Sequence, residues 1–175
     1  MGYGLAQGYP IAHETFAQAD HILGILLSQL CFEGPDQALN DTVNTQPAIL
    51  TTSVAALRAL RKQGLEPPAY VAGHSMGEFS ALVASGALSF QDGLELVHER
   101  GRLMKAAGQR SPGGMAAVLG LGREALEDVC HIVRERTGAY VGVANDNCPG
   151  QIVISGQPAI LEQALEAARE RGAKR

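Results

Sequence analysis

The residues best suited to chemistry lie at positions 73 to 77, where the sequence reads Gly-His-Ser-Met-Gly and centres on Ser75. An apolar run at 69–72 predicts a short buried strand before them, and the small residues at 79–87 predict a helix after them. A serine in a G-x-S-x-G turn between a strand and a helix is typical of a nucleophile elbow. The turn is so tight that Cβ atoms at Gly73 or Gly77 would collide with the neighbouring strand and helix. The pattern therefore predicts that Ser75 is a nucleophile.

The helix that follows Ser75 directs its N-terminus toward the serine. Its free N–H groups, beginning with the backbone N–H of Met76, can stabilise negative charge that develops on an acyl oxygen. A second interpretation stays open, because glycine accounts for 21 of the 175 residues. In that interpretation the segment is a glycine-rich turn that only packs.

Composition argues against several other classes of protein. The chain is 46% hydrophobic and 18% charged, with a formal net charge of −4, which is typical of a soluble globular protein with one large or two small domains. This mild acidity, without a basic stripe interleaved with aromatic residues, argues against a nucleic-acid partner. The longest apolar stretch, residues 22–30, is interrupted by polar residues and is too short to span a membrane.

Cysteine usage predicts a reduced, cytoplasmic setting. The cysteines are odd in number, show no C-x-x-C spacing, and occur in a sequence without a signal peptide. No group of histidine, cysteine, aspartate and glutamate residues has the spacing of metal ligands, so no metal is expected. The three cysteines are Cys31, Cys130 and Cys148.

Loop composition at 108–114 divides the chain into two regions, 1–110 and 111–175, which we interpret as subdomains. Helical periodicity dominates the first region outside the Ser75 turn. Its predicted elements are a loop over 1–9, a helix from Pro10, a polar link over 41–46, a helix over 47–63 followed by Gly64 at C′, and a helix over 90–107 that Ser89 and Asp92 cap.

The second region changes to a mixture of strands and helices. The predicted order is β-α-β-β-α, which is the split β-α-β (ferredoxin-like) arrangement without its last strand. Because the chain starts in a loop and stops where that strand should begin, we expect it to be a fragment. The elements are a strand over 115–121, a helix over 123–136, strands over 140–144 and 151–155, and a helix over 158–171.

The motif from Gly73 to Glu78 resembles the malonyl-CoA:acyl-carrier-protein transacylase family, which includes the acyltransferase domains of polyketide synthases. The resemblance implies an α/β fold, in which a partial α/β-hydrolase-like larger subdomain carries the serine and a ferredoxin-like smaller subdomain is inserted. Further segments resemble the family in the same order: Thr-Gln-Pro-Ala at 45–48, Val-His-Glu-Arg-Gly-Arg-Leu-Met at 97–104, Gly-Met-Ala-Ala-Val at 114–118, and Pro-Gly-Gln-Ile-Val-Ile-Ser-Gly at 149–156.

The resemblance implies a two-step malonyl transfer in fatty acid biosynthesis. Ser75 would take the malonyl group from malonyl-CoA, with the Met76 N–H as one oxyanion donor, and the phosphopantetheine thiol of acyl carrier protein would then collect it. Arg100 matches the family arginine that holds the free carboxylate of malonate, and a planar guanidinium can do so through two parallel hydrogen bonds. The coenzyme A thioester and the phosphopantetheine thiol are substrates, so no cofactor is expected. Without the resemblance, Arg100 would be interpreted as a surface arginine in a charged helix.

Two parts of the family pattern have no counterpart here. The family begins with a strand and a Gly-Gln-Gly-Ser-Gln loop whose glutamine assists the oxyanion site, and its base histidine would lie in a segment beyond Arg175. None of the five histidines of this chain matches that base. Because a serine hydroxyl without a base is a weak nucleophile, we expect this polypeptide alone to be nearly inactive.

Three alternatives remain open at this point. The same fold could load a polyketide carrier instead of a fatty-acid carrier. An esterase of the α/β-hydrolase type would use water as acceptor, but it would need neither Arg100 nor the inserted β-α-β-β-α unit. A non-catalytic truncated remnant, which folds poorly or binds carrier protein without turnover, is the alternative from a different class.

Overall fold

The computed structural model describes residues 1–174 and divides into two compact units, Met1–Ala107 and a second that begins at Gly108. The first unit is helical. Its helices are α1 (Tyr3–Gly8), α2 (Pro10–Leu23), α3 (Leu27–Glu33), α4 (Asp36–Leu39), α5 (Thr42–Lys62), α6 (Gly77–Ser85) and α7 (Phe90–Arg110), of which α7 continues to residue 110.

The core of the first unit lies among its longer helices. Phe16 of α2, Leu50 of α5 and Leu94 of α7 are each 0% exposed. Burial of a side chain of this size contributes roughly 1.5–3 kcal/mol, so these three positions stabilise the packing of α2, α5 and α7. Helix α7 begins as predicted, since the N–H of Asp92 donates to Ser89 Oγ at 3.0 Å.

The second unit contains a three-stranded antiparallel sheet with two helices, in the predicted order β-α-β-β-α. The strand order is β1-β3-β2, so β1 and β2 are parallel to each other and are separated by β3. Val118, Ile152 and Ile154 form its core with the two helices. The elements are β1 (Gly114–Leu119), α8 (Arg123–Thr137), β2 (Val141–Cys148), β3 (Gln151–Gly156) and α9 (Pro158–Glu170).

The chain after α9 returns to the free edge of β1. The N–H of Gly120 donates to Gly150 O on the β3 side at 2.9 Å, so the preceding carbonyl of Leu119 faces the other edge of β1. The N–H of Lys174 donates to that carbonyl at 2.8 Å. Lys174 therefore lies beside β1 at the edge that β3 does not occupy.

Three predictions for the first region are wrong. Residues 69–72 form no strand and are exposed, with Tyr70 at 93%, because within residues 1–174 no neighbouring strand pairs with them. The predicted loop over residues 1–9 instead contains α1. Helix α5 begins at Thr42 and not at Pro47, so the predicted polar link is largely helical.

The early start of α5 follows from its cap. Asp41 accepts a hydrogen bond from the N–H of Val43 at 3.2 Å, and its carboxylate also pairs with the ammonium of Lys105 on α7. Pro47 inside the helix removes one backbone hydrogen bond, a cost of about 3 kcal/mol that the cap and the burial of Pro47 help to offset. The helix ends as predicted, with Gly64 at C′ and the N–H of Leu65 donating to Leu60 O at 3.1 Å.

The Asp41 cap predicts a pH-dependent contribution to stability. The hydrogen bond from Lys105, followed by that from the Val43 N–H, lowers the pKa of Asp41 below its ordinary 3.8. The folded state therefore binds the proton less well than the unfolded state, so the stabilisation is complete above pH 3.8 and is lost as the pH falls through the folded pKa. In urea unfolding, the free energy of unfolding of Asp41→Asn should therefore decrease less steeply with falling pH in this acidic window than that of the unsubstituted chain.

Glu66→Gln provides the matched control for that experiment. Glu66 is exposed and makes no hydrogen bond or ion pair within residues 1–174, so its substitution should leave the acid limb unchanged. An acid limb that Asp41→Asn leaves as steep as that of the control would show that the cap does not contribute.

Gly101 permits the close approach of α7 to the first turn of α5. A Cβ atom at Gly101 would lie 2.6 Å from Thr42 O and 2.9 Å from the Cα of Val43, which are backbone atoms. Gly101→Ala is therefore expected to lower the free energy of unfolding by about 1–3 kcal/mol, as measured by urea denaturation. Gly108→Ala, in the same helix and with open space around its Cβ, should instead stabilise by up to about 1 kcal/mol. Equal effects of the two substitutions would show that the two helices do not approach closely at Gly101.

Candidate active site

Ser75 occupies the strained turn that the motif predicted. Its φ is 54°, and among residues 1–174 no other non-glycine residue has a positive φ. A non-glycine residue in this region costs on the order of 1–3 kcal/mol, and such strain clusters at functional sites. The turn closes through the N–H of Gly77 on His74 O at 2.8 Å and the N–H of Glu78 on Ser75 O at 3.1 Å. The hydroxyl is thereby presented, exposed, at the start of α6.

Met76 is the residue immediately before α6. Its φ of −59° and ψ of −29° already match the helix. Within the described chain its N–H donates no hydrogen bond, whereas the N–H groups of the next three residues all do. An unpaired N–H next to the serine, at a helix N-terminus, has the geometry of a donor for a developing oxyanion.

The two motif glycines have different roles. A Cβ atom at Gly73 would lie 2.0 Å from Gly77 O and 2.4 Å from the N of Glu78, which confirms the predicted collision at this position. The collision predicted at Gly77 is wrong, since nothing lies within 4 Å of its Cβ position. The strand expected beside Gly77 is not formed in residues 1–174, so a side chain there meets open space.

The difference between these glycines gives a direct test of the turn. Gly73→Ala is expected to destabilise the chain by more than about 3 kcal/mol or to unfold the turn, because backbone atoms of α6 cannot move aside. Gly77→Ala should change the stability by less than about 1 kcal/mol. Urea denaturation measures both values, and a Gly73→Ala chain as stable as Gly77→Ala would rule out the tight turn.

Arg100 contacts the serine directly. Its Nη2 donates to Ser75 Oγ at 3.1 Å, and its Nη1 donates to Gln46 Oε1 at 2.6 Å. The neighbouring Glu99 does not compete, because Arg102 holds it through two hydrogen bonds of 2.6 Å. The surface interpretation of Arg100 therefore does not describe this side chain, which is half-buried and directed at the Ser75 hydroxyl.

This arrangement can recognise an acyl group that carries its own negative charge. A carboxylate bound by the Arg100 guanidinium would lie next to Ser75 Oγ, as required when one short carbon spacer joins the carboxylate to the reacting carbonyl. Among residues 1–174 no histidine makes a hydrogen bond with Ser75, and His74 itself is exposed. The described residues therefore bring together an exposed hydroxyl, a guanidinium and an unpaired backbone N–H.

Gln46 belongs to this site although no sequence feature assigned it a role. It is only 5% exposed, its Oε1 accepts from Arg100, and its Nε2 donates to Thr42 Oγ1 at 2.9 Å and to Met104 Sδ at 3.4 Å. It lies in the Thr-Gln-Pro-Ala segment at 45–48, which was the one signal that could have marked it. In the sequence it belonged to a predicted polar link, where a glutamine is common.

Two of the cysteines are poor alternative nucleophiles. Burial raises the pKa of Cys31 to about 11 and also raises the pKa of Cys130, so both thiols stay protonated near neutral pH. Cys148 is exposed, and all three cysteines are unpaired.

Comparison with known proteins assigns the chain to a family. The sequence model of the acyl transferase domain matches residues 1–175, and the chain belongs to this family. The malonyl CoA-acyl carrier protein transacylase of Bacillus subtilis is 49% identical over 175 residues, which are 100% of this chain and 55% of that protein. The chain thus spans about half the length of the curated relatives it matches.

Solved structures agree with this assignment. An acyl carrier protein S-malonyltransferase from Vibrio cholerae superposes with a TM-score of 0.89 at 44% identity, over 98% of this chain and 55% of that one. A chain in the complex of a type II polyketide synthase acyl-carrier protein with its malonyl-transacylase gives a TM-score of 0.92 at 40% identity, over 100% of this chain and 56% of that one. The mixed α/β fold with its small sheet is therefore shared with malonyltransferases.

Proposed function

We propose that this chain carries the nucleophile and the acyl-selecting arginine of a malonyl-CoA:acyl-carrier-protein transacylase. The observation that carries the proposal is the hydrogen bond of 3.1 Å from Arg100 Nη2 to Ser75 Oγ. This hydrogen bond places the guanidinium that would bind the malonyl carboxylate next to the hydroxyl that would attack the malonyl thioester. An esterase that uses water as acceptor has no need of this cation.

In the first step, Ser75 Oγ forms a bond with the thioester carbonyl carbon and gives up its proton to a base. The oxygen of the tetrahedral intermediate accepts a hydrogen bond from the free N–H of Met76, helped by the positive end of α6. The intermediate breaks its carbon–sulfur bond, and coenzyme A leaves as the thiol after it takes up the proton. The product is a malonyl ester of Ser75, with its carboxylate on Arg100.

In the second step, the phosphopantetheine thiol of acyl carrier protein attacks the ester and restores the serine hydroxyl. Only the two thiols, the serine and a base form or break bonds, so the reaction as proposed needs no cofactor or metal. The resemblance assigns the base to a histidine in a segment that this sequence does not contain.

Acyl carrier protein of fatty acid biosynthesis is the proposed acceptor. The names of the relatives from Bacillus subtilis and Vibrio cholerae support this choice. The polyketide complex supports a carrier of the other pathway as the second candidate. None of the helices among residues 1–174 has the length and apolarity to cross a membrane. A cytoplasmic setting is part of the proposal and rests on the unpaired cysteines.

The proposal extends to the subdomains of the chain. We propose that residues 1–110 are part of an α/β-hydrolase-like larger subdomain and that residues 111–175 are an incomplete ferredoxin-like subdomain. The order β1-β3-β2, with α8 joining the two parallel strands, supports the second assignment. The position of Lys174 beside β1 supports it as well, since a fourth strand would occupy that edge.

The test uses a chimaera in which this chain replaces the matching 55% of the Bacillus subtilis relative. We expect malonyl-CoA to add one malonyl group, as measured by intact mass, and Ser75→Ala to abolish the adduct. Arg100→Lys should lower malonyl transfer roughly 10- to 150-fold, because a lost hydrogen bond to a charged group is worth about 1.5–3 kcal/mol. Its effect on acetyl transfer should be small.

The 175-residue chain alone is the companion sample. It should form the adduct about 10²- to 10⁴-fold more slowly than the chimaera, because it lacks the base that the resemblance assigns elsewhere. Equal labelling of the unsubstituted chimaera by malonyl-CoA and acetyl-CoA would refute Arg100 as the selector. A folded chimaera without any adduct would refute the proposed function, and transfer to water alone would favour the esterase.

A further inference from the structure

We infer that Gln46 is a positioning residue that sets the acyl selectivity of the site, because it holds the Arg100 guanidinium beside Ser75. This inference rests on the proposed function and assigns a further residue to the same site. The two side chains come from different helices, α5 and α7, and their amide–guanidinium hydrogen bond of 2.6 Å is shorter than the contact of 3.1 Å that Arg100 makes with Ser75.

The orientation of the Gln46 amide is determined by its partners. A guanidinium only donates hydrogen bonds, so the amide atom that faces Arg100 must be the oxygen. A thioether sulfur only accepts, so the atom that faces Met104 Sδ, at 3.4 Å, must be the nitrogen. Thr42 Oγ1 accepts from the same nitrogen at 2.9 Å. The amide is therefore held at both ends, and its carbonyl points at Arg100.

Burial makes this contact a constraint on Arg100. Gln46 is 5% exposed, and an unpaired amide oxygen at such a position would lose its hydrogen bonds to water without compensation. An arginine side chain carries about 2 kcal/mol of rotamer entropy, so a fixed acceptor restricts where its charged end lies. Arg100 is thereby preorganised in the position where a substrate carboxylate would meet it.

The frame around Gln46 maintains its position relative to Arg100. Gln46 lies one helical turn after Thr42, whose carbonyl contacts the backbone of α7 where Gly101 lacks a side chain. The ion pair between Asp41 and Lys105 joins the same two helices at the next turn of α7. The backbone contact and the ion pair thus fix the first turn of α5 against α7, and with it the position of Gln46.

The absence of charge on the Gln46 amide matters as much for carboxylate binding as the position of the amide. Gln46 uses one N–H of the guanidinium and Ser75 uses another, so three of the five N–H groups stay available for a substrate carboxylate. Because an amide carries no charge, it leaves the positive charge of Arg100 uncompensated. A glutamate at position 46 would accept the same hydrogen bond but would form an internal ion pair that competes with the malonyl carboxylate.

This distinction separates a positioning role from a merely structural one. The test compares kcat and KM for malonyl-CoA and acetyl-CoA in the same chimaera with Gln46→Leu, Gln46→Glu and Gln91→Leu. Gln91 is exposed on α7, and among residues 1–174 its side chain hydrogen-bonds only with Glu95, so its substitution is a control for the same chemical change. Thermal unfolding of each variant shows whether it folds.

We expect kcat/KM for malonyl-CoA to fall roughly 10- to 150-fold in Gln46→Leu, mainly through KM, since the lost hydrogen bond to a charged group is worth about 1.5–3 kcal/mol. Gln46→Glu should lose malonyl preference at least as strongly while it retains the fold. Acetyl transfer should change by less than about threefold in both variants, because acetyl has no carboxylate for Arg100. Gln91→Leu should match the unsubstituted chimaera.

Three outcomes would overturn the inference. Full malonyl transfer with an unchanged ratio of malonyl to acetyl transfer in folded Gln46→Leu would show that Arg100 does not need the amide. A parallel loss of both activities, or full malonyl preference in Gln46→Glu, would show that Gln46 only maintains packing. Failure of the proposed function is recognised separately, because the unsubstituted chimaera would then lack malonyl transfer or show no preference for it.

Discussion

The site depends on the backbone contact that Gly73 allows. Its Cα lies so close to the carbonyl of Gly77 that a side chain would overlap backbone atoms, and this approach lets the chain reverse within four residues into α6. The reversal places Ser75 in the left-handed region and leaves the Met76 N–H unpaired beside it. The strain at the serine and the free donor next to it are thus two results of one geometric constraint.

The second half of the site comes from the packing of α5 against α7. Gly101 allows their backbones to touch, and the capped first turn of α5 then brings Gln46 to Arg100. Arg100 completes the arrangement by reaching the serine turn. The start of α5, the middle of α7 and the serine turn are far apart in the sequence, yet they meet at the Arg100 guanidinium. Each of them is also held by a contact between backbones or by a helix cap.

Much of the fold could be predicted from the sequence where local signals decide it. The elements of the second unit follow from periodicity and from the Pro149-Gly150 turn, and α7 follows from its Ser89 cap. The Ser75 turn was also predictable, because all of its determinants are local. The turn requires a glycine at position 73, and Ser75 lies within the same five-residue motif.

The failures arise where partners distant in sequence decide the outcome. The apolar run at 69–72 has strand composition, but a strand exists only beside another strand. Pro47 indicated a helix start because local rules disfavour it in an interior, whereas the Asp41 cap moves the start to Thr42. Gln46 escaped notice for a similar reason, since its role is defined by a residue on α7 that no spacing rule connects to it.

The central position of β3 has a consequence for the order in which the small sheet can form. Strands β2 and β3 are joined by a two-residue turn, whereas β1 pairs with nothing in the sheet except β3, which follows it after a helix and a hairpin. During synthesis, β1 and α8 leave the ribosome before their sheet partner exists, so the apolar side of β1 must wait uncovered until residue 156 has been made. The hairpin needs only a local turn to form, whereas the pairing of β1 with β3 must close a longer loop, which costs more chain entropy.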